Sequence, residues 1–415
     1  MQKVAVVGGG ASGFAAAITV ARAGGFSVTV YERLQKPLKK LLATGNGRCN
    51  LTNLHADVSH YRGDTAFAER ALARFPAQST LSFFRSMGLC TKAEAEGRVY
   101  PLSGQAASVR DVLLAEARRL SVRIVTDCEI TKVRAKNGGF LLNDAYPCDV
   151  LVLCAGGSAA PQHGTDGGAF RLLGQLGLRV IPPAPALTAL VCKRFPKNLK
   201  GVRCDCAVTL RTQKETLAAC SGEVQFTEYG LSGIPIFSLS RYVSESAQPV
   251  FVHLNCVPTV SRGALLDFLR AAVRKTPQKS AELLAEGLVP HALGKALLLQ
   301  SGIRKDEPVG MLTEARLERF ADTLQDFCAE VDHPRGFDFA QVTAGGADCA
   351  AFCADTMRAK RYESLYVCGE ALNVDGDCGG FNLQWAWSSG RAAGEAIAAR
   401  QKAKKEEDTC CESRN

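Results

Sequence analysis

The densest chemical signal in the chain is Gly8-x-Gly10-x-x-Gly13. In such a run the first glycine permits a tight turn and the second lets backbone approach a pyrophosphate. The third lets a helix pack close to a strand. The phosphates then sit at a helix N-terminus, where free N–H groups and the helix dipole favour negative charge. Glu32 follows about 20 residues on, where a carboxylate accepts hydrogen bonds from a ribose 2′-OH. Two later stretches extend the pattern. Cys154-Ala155-Gly156-Gly157 ends an apolar run and makes Gly156 a second point of backbone approach. Gly369-Glu370 and then Gly379-Gly380-Phe381-Asn382-Leu383-Gln384 lie between a strand-like and a helix-like run. They aim another helix N-terminus at an anionic acceptor such as the flavin N1–C2=O edge. NAD and FAD share the first turn; the later stretches favour FAD, held non-covalently.

Other residues offer chemistry with less specificity. Thr44-Gly45-Asn46-Gly47-Arg48-Cys49-Asn50 is a glycine-rich polar loop. Arg48 suits a flavin or a substrate carboxylate, with the cofactor favoured. Cys49 is placed for a flavin thioether, but its ordinary reading is a loop cysteine whose pKa the Arg48 charge lowers. Tyr229, in a glycine-flanked loop, is the candidate acid for enone reduction, which needs a proton donor beside the hydride source. A packed aromatic is the competing reading. Trp385 and Trp387 read as packing residues, and His163 and His333 as solvated histidines in polar loops. No second Gly-x-Gly-x-x-Gly follows a strand, so NAD(P)H enters only as a transient reductant, if it is the donor at all.

These residues need elements to hold them. Val4-Ala5-Val6-Val7 reads as a buried parallel strand, followed by a helix to Ala23 and a strand over Ser27–Tyr31. Helices are expected near Thr65–Phe75, Gln78–Met87 and Ala106–Leu120. Strands are expected at Arg123–Val125, Ile130–Val133, Phe140–Leu142 and Val150–Cys154. From about Val180 the character changes to prolines and short alternating strands such as Val208–Leu210 and Val250–Val252. Helices follow near Arg262–Arg274 and Ser280–Leu288. Leu365–Cys368 restores a buried strand, and a last helix runs over about Leu383–Arg400. The expected organisation is an FAD-binding domain in two parts, 1–180 and 336–401, an inserted substrate or cap domain over 181–335, and a frayed charged tail over 402–415.

Composition excludes several classes. At 47% hydrophobic and 22% charged residues, the chain can build a large core. The net charge of +9 is not gathered into a dense basic stripe, so no nucleic-acid partner is expected. No apolar run reaches membrane-spanning length and no signal peptide is read, which gives a cytoplasmic expectation with a small-molecule substrate and no membrane partner. Oligomeric state is left open. The 17 cysteines include no Cys-x-x-Cys pair, so neither a metal site nor a disulfide framework is read from their spacing.

Five segments carry a resemblance: VAVVGGGASGFAAAI, KKLLATGNGRCNLTN, GEVQFTEYGLSGIPIFSLSR, AQVTAGGADCAAFCADTMRAK and LYVCGEALNVDGDCGGFNLQWAWSSGRAAG. The chain resembles the BaiN/YhiN-type bacterial flavoproteins, an aminoacetone-oxidase-like FAD-binding family, over nearly its whole length. The resemblance implies an α/β fold, a glutathione-reductase-type Rossmann FAD-binding domain carrying an inserted β-rich α+β cap. It implies cofactor contacts from Gly8, Gly10, Ala11, Ser12, Gly13, Glu32, Arg33, Lys40, the Gly45–Asn50 loop (Gly47, Arg48, Cys49 and Asn50 among them) and backbone near Ile130. Gly369, Glu370, Gly380, Asn382, Leu383 and Gln384 complete the set. Leu38 stands where the family usually has Gly, Asn373 where it often has Asp, and Ala359 in place of a common Ser. The implied activity is FAD-dependent, NAD(P)H-linked reduction of an activated C=C bond in a steroid- or bile-acid-like substrate, with Tyr229 and Arg48 as catalytic candidates. The alternatives are an amine or aminoketone oxidase and a non-catalytic or tRNA-directed flavoprotein.

Overall fold

The computed structural model describes residues 1–412; positions 413–415 of the expected tail lie outside the described residues. The chain divides into two compact units, Met1–Ala184 with Val342–Asn415, and Pro185–Gln341.

The first unit is built on a five-stranded sheet. Strands β1 (Gln2–Val7), β2 (Phe26–Tyr31), β3 (Arg123–Val125), β4 (Val150–Leu153) and β5 (Leu365–Val367) lie in the order β5-β4-β1-β2-β3, and every pairing is parallel. Val4, Val6 and Leu151 to Leu153 are buried, as continuous apolar strands covered on both faces must be. The chain leaves β1 for β2 on one side and later returns to β4 on the other. That reversal opens a crevice at the carboxyl end of β1, where open α/β sheets bind ligands. Helix α1 (Ala11–Ala23) starts there.

The last helix, α2 (Phe381–Glu412), packs along α1. Two glycines make this close approach possible. A Cβ on Gly390 would stand 2.4 Å from the Ser12 carbonyl oxygen, and one on Gly394 would stand 2.6 Å from Thr19 Cβ. Helix α2 does not end near Arg400 as expected. No glycine or proline follows Gly394, and the residues beyond Arg400 are mostly good helix formers, so the helix continues to Glu412. The strand expected at Ile130–Val133 is also displaced, to Val133–Lys136. Asn143 Oδ1 accepts from the backbone N–H groups of Thr131 and Lys132, at 3.0 and 3.1 Å, and these can then join no ladder.

The second unit is a closed six-stranded barrel with helices. Its strands, in order around the ring, are Leu190–Cys192, Gly230–Ser232, Thr216–Phe226, Arg203–Arg211, Phe251–Asn255 and Phe327–Pro334. Closure leaves no unpaired edge. Along Arg203–Arg211 the alternation is strict at the start: Cys204, Cys206, Val208 and Leu210 are buried, while Arg203 and Asp205 are exposed. Of the short strands expected from sequence, Val208–Leu210 lies inside Arg203–Arg211, and Val250–Val252 overlaps Phe251–Asn255 but starts one residue before it. Among the described residues no helix is long and apolar enough to cross a membrane.

Two outcomes follow. Gly390→Val should force α2 away from α1, lowering stability by about 2–3 kcal/mol in chemical denaturation and weakening cofactor retention with it. Glu116, in the helix Ala106–Arg119, is only 8% exposed in its side chain and ion-pairs with Arg22 of α1 at 2.7 Å and with Arg119 at 2.7 Å. Arg119 first, then Arg22, hold its carboxyl down at about 2 against the opposing effect of burial. A depressed carboxylate contributes stability above its unfolded value and loses it as pH falls through the folded one. Glu116→Gln should therefore cost about 1–2 kcal/mol at neutral pH. The gap to wild type should close between about pH 4.5 and pH 2 in urea titrations, and a pH-independent gap would refute the ionic account.

Candidate functional site

The site is assembled around the start of α1. Gly8 has φ 106°, and a Cβ there would stand 2.4 Å from the Cys154 carbonyl oxygen. A Cβ on Gly13 would stand 2.0 Å from the Gly8 carbonyl oxygen, so the third glycine is required by helix–strand contact. Gly10 differs, because no protein atom lies within 4 Å of where its Cβ would be. Open space therefore sits against the N-terminus of α1, where an anion is favoured. Ala11 and Ser12 form the first helical turn.

Glu32 is buried and holds the turn from behind. Its carboxylate accepts from Gly9 N at 2.8 Å and from Leu34 N at 2.9 Å. Two lone-pair positions remain for a ribose. Neighbouring Arg33 ion-pairs with Asp166 at 2.7 Å and with Glu129 at 3.7 Å, which orients it through the Thr165-Asp166-Gly167 element. Ile130 lies buried in the loop after β3, where Asp127 N and Cys128 N bond back to the Leu34 and Glu32 carbonyls.

A short helix, Lys39–Ala43, carries Lys40, whose Nζ lies 2.7 Å from Glu370 Oε2. The other Glu370 oxygen accepts from Thr343 N at 2.9 Å. One ion pair thus joins two cofactor candidates 330 positions apart. Leu38 caps the short helix with φ 62°, the left-handed region that glycine adopts freely. Here Leu38 is nearly fully buried, and its apolar contacts offset the backbone strain. Asn373, the second departure, donates to Asp64 Oδ2 at 3.1 Å; an aspartate there would face another carboxylate.

The Gly45–Asn50 loop is strongly bent, with Gly45, Asn46, Gly47 and Cys49 all at positive φ. Gly47 faces open space. Arg48 ion-pairs with Glu94 and stacks over the Tyr100 ring at 4.0 Å. The expected lowering of the Cys49 pKa is corrected: the thiol is fully buried, and burial pushes it up to about 12, so no thiolate is available for a thioether at neutral pH. Asn50 Oδ1 is buried without a hydrogen-bond partner, and it lies 2.8 Å from where a Cβ on Gly380 would be.

The C-terminal segment closes the cradle. A Cβ on Gly369 would stand 2.6 Å from Ser12 Oγ, which brings this loop onto the start of α1. Trp385 Nε1 donates to the Gly369 carbonyl at 3.0 Å, and Trp387 Nε1 to the Leu51 carbonyl at 2.9 Å; both indoles are core. Asn382 Nδ2 and Oδ1 close the turn at Gly376. Gln384 is fully buried and bonded to Thr52, Phe75 and Ser388. The amide side chains of Asn382 and Gln384 therefore shape the loop, and what this turn, with Leu383 and Gly380, offers a ligand is helix N-terminal backbone. Gly156, at φ 74°, is required by Thr165, whose Cγ2 would lie 2.8 Å from an added Cβ.

His163 is also corrected. It is not a solvated histidine: its Nδ1 is buried without a partner, and burial, then the Lys39 and Lys40 charges, hold its pKa down. Nothing in its local sequence signals this. In the second unit, Arg335 Nη1 donates to the Tyr229 hydroxyl at 3.0 Å and the guanidinium lies 4.6 Å from the Tyr229 ring centre. Nothing in the sequence ties Arg335 to Tyr229, 106 positions away.

The residues fit FAD. The open glycine cradle at α1, the carboxylate behind it and the unpaired buried acceptor on Asn50 are what a dinucleotide with a hydrogen-bonding ring system requires.

Comparison with known proteins agrees. The model of the HI0933-like protein Rossmann domain matches residues 2–396. The chain is 37% identical over 409 residues to the 3-dehydro-bile acid delta(4,6)-reductase of Clostridium scindens, covering 96% of this chain and all of that protein. It is 27% identical over 404 residues to the ribosomal RNA dihydrouridine synthase of Haemophilus influenzae, covering 95% of this chain and 98% of that one. A solved structure of 3-ketosteroid delta1-dehydrogenase from Sterolibacterium denitrificans shares the fold, with TM-score 0.50, 13% identity, and coverage of 96% of this chain and all of that one.

Because Asn50 Oδ1 lacks a partner in the protein, Asn50→Ala should not lower the melting midpoint of the cofactor-free chain. It should raise the FAD dissociation constant about tenfold. A lowered apo midpoint with unchanged affinity would make Asn50 purely structural. With its α1 cradle and the match across residues 2–396, the chain belongs to the HI0933-like Rossmann family and is a flavin-dependent oxidoreductase.

Proposed function

We propose that the protein reduces a carbon–carbon double bond conjugated to a carbonyl, in a 3-oxo steroid or bile-acid-like substrate, with NAD(P)H as the electron source. The Tyr229–Arg335 pair is the observation that carries this reading. Arg335 occupies an acceptor position of the phenol oxygen at 3.0 Å and covers the ring, which leaves the O–H free to donate. A hydroxyl so held can protonate the carbonyl side of an enone while the β-carbon takes a hydride. Arg335 is itself fixed by Phe339, whose ring centre lies 3.2 Å from the guanidinium carbon.

FAD supplies the hydride when bound. Gly8, Gly10, Ala11, Ser12, Gly13 and Glu32 would hold its dinucleotide half, with Arg33 and backbone near Ile130 toward the adenosine. Lys40, Gly47, Asn50, Gly369, Glu370, Gly380 and the first turn of α2 would hold the ring end. Arg48, committed to Glu94 and Tyr100, shapes the loop and takes no proton-transfer role.

The relatives support the class of reaction. The Clostridium scindens protein is named as a delta(4,6)-reductase of a 3-dehydro-bile acid. Dihydrouridine is uridine whose ring C=C bond, conjugated to a carbonyl, has been saturated, so the ribosomal RNA enzymes are named for the same bond type.

Anaerobic mixing of the flavoprotein with NADH or NADPH should bleach the flavin band, and a 3-oxo-Δ4 steroid should restore it. Tyr229→Phe should slow the restoring step about 10²-fold or more without losing FAD. If an enone reoxidises the enzyme no faster than buffer does, the proposal fails. Reoxidation by a uridine-containing RNA and not by the steroid would move the activity to the RNA substrate.

A further inference from the structure

Cys204 and Cys206 are separated by one residue, and Cys256 is fifty positions away. Their spacing gives no hint that they belong together. The barrel joins them. Strand alternation turns Cys204 and Cys206 to the same buried face of Arg203–Arg211. That strand pairs with Phe251–Asn255 in a register that sets Ala207 opposite Asn255 and Val208 opposite Leu254. The residue after Asn255 therefore comes beside Cys206. All three sulfurs lie within 4.8 Å of one another, and the residues are 8%, 1% and 4% exposed.

We propose that Cys204, Cys206 and Cys256 form a three-thiolate site for a soft closed-shell metal cation, Zn(II) or Cu(I).

Three arguments support it. The first is size. Zinc–thiolate bonds are about 2.3 Å long, so sulfurs around one ion lie about 4 Å apart, and the observed separations need only small side-chain rotations. The second is chemistry. Thiolates select Zn and Cu(I) over Mg, Ca and Mn, and the convergence of three sulfurs at one point exceeds what an apolar interior needs from cysteine. The third is the weakness of competing partners. The thiols meet only long contacts to carbonyls in the protein, Asp205 at 3.7 Å and Cys256 at 3.6 Å from Cys204 Sγ, and Cys204 at 3.5 Å from Cys206 Sγ. The sulfur lone pairs stay available to a cation, and each thiol that joins it releases its proton to solvent. No fourth His, Cys, Asp or Glu joins the group among the described residues. Three-coordination suits Cu(I); Zn(II) would take a further non-protein ligand. The other cluster with metal-ligating atoms, Glu282, Glu286 and His291, is partly to fully exposed, with Glu282 ion-paired to Lys295, and carries nothing comparable.

The test uses the full-length FAD-loaded protein, purified anaerobically under reducing conditions and stripped with a chelator. One portion is loaded with Zn(II) and one with Cu(I), then desalted. Wild type should keep about one equivalent of one ion, with X-ray absorption showing sulfur neighbours and a melting midpoint raised by a few degrees. Cys206→Ser and Cys256→Ala should each cut retention at least about tenfold and abolish the shift. Metal-free melts of both variants report whether the barrel still folds. If Cys256→Ala unfolds it, Cys204→Ser replaces it. Retention by variants equal to wild type, absorption spectra without sulfur neighbours, or a disulfide among these residues in the anaerobic protein would each overturn the proposal.

Discussion

The first unit depends on close contacts that only glycine permits at the start of α1. A Cβ at Gly13 would meet the Gly8 carbonyl, one at Gly369 would meet Ser12 Oγ, and one at Gly390 would meet the Ser12 carbonyl. Three separate regions of the chain thus converge on one helical turn and leave no room for side chains between them. The convergence pins the N-terminus of α1 at the point where the sheet reverses strand order. The helix dipole and the unpaired N–H groups are then held in place before any ligand arrives, which lowers the ordering cost of binding.

Around that turn, nearly every polar side chain is already committed within the protein. Glu32 holds two backbone N–H groups, Lys40 and Glu370 hold each other, and Gln384 is bonded at both ends. These groups set the shape of the cradle. The Asn50 carbonyl oxygen is a buried exception. Leaving such an acceptor unmade costs about 1–3 kcal/mol, a cost that a ligand N–H removes. The polar residues around the turn therefore divide into many that are bonded within the protein and few that are not.

The inserted unit works by different means. A closed barrel keeps its alternating faces fixed, so side chains far apart in sequence can be presented in a stable relation. Tyr229 and Arg335 are paired in this way, as are the three cysteines.

Much of this was legible in the sequence where interactions are local. The β1-turn-α1-β2 unit and the need for glycine at Gly8 and Gly13 follow from backbone geometry within about 30 residues. The helices over Thr65–Arg74, Ala77–Arg85 and Ala106–Arg119 followed from periodicity. Residues whose role is set by a distant partner could not be read. The Lys40–Glu370 pair, the burial that inverts the expected behaviour of Cys49, the enclosed ring nitrogen of His163 and the Arg335 cover on Tyr229 each require the folded chain. The sequence by itself determined the tight glycine turn that opens α1, because backbone geometry within one turn specifies that. Only the tertiary structure decided which side chains remain free to act, because a side chain's freedom depends on every neighbour that folding brings to it.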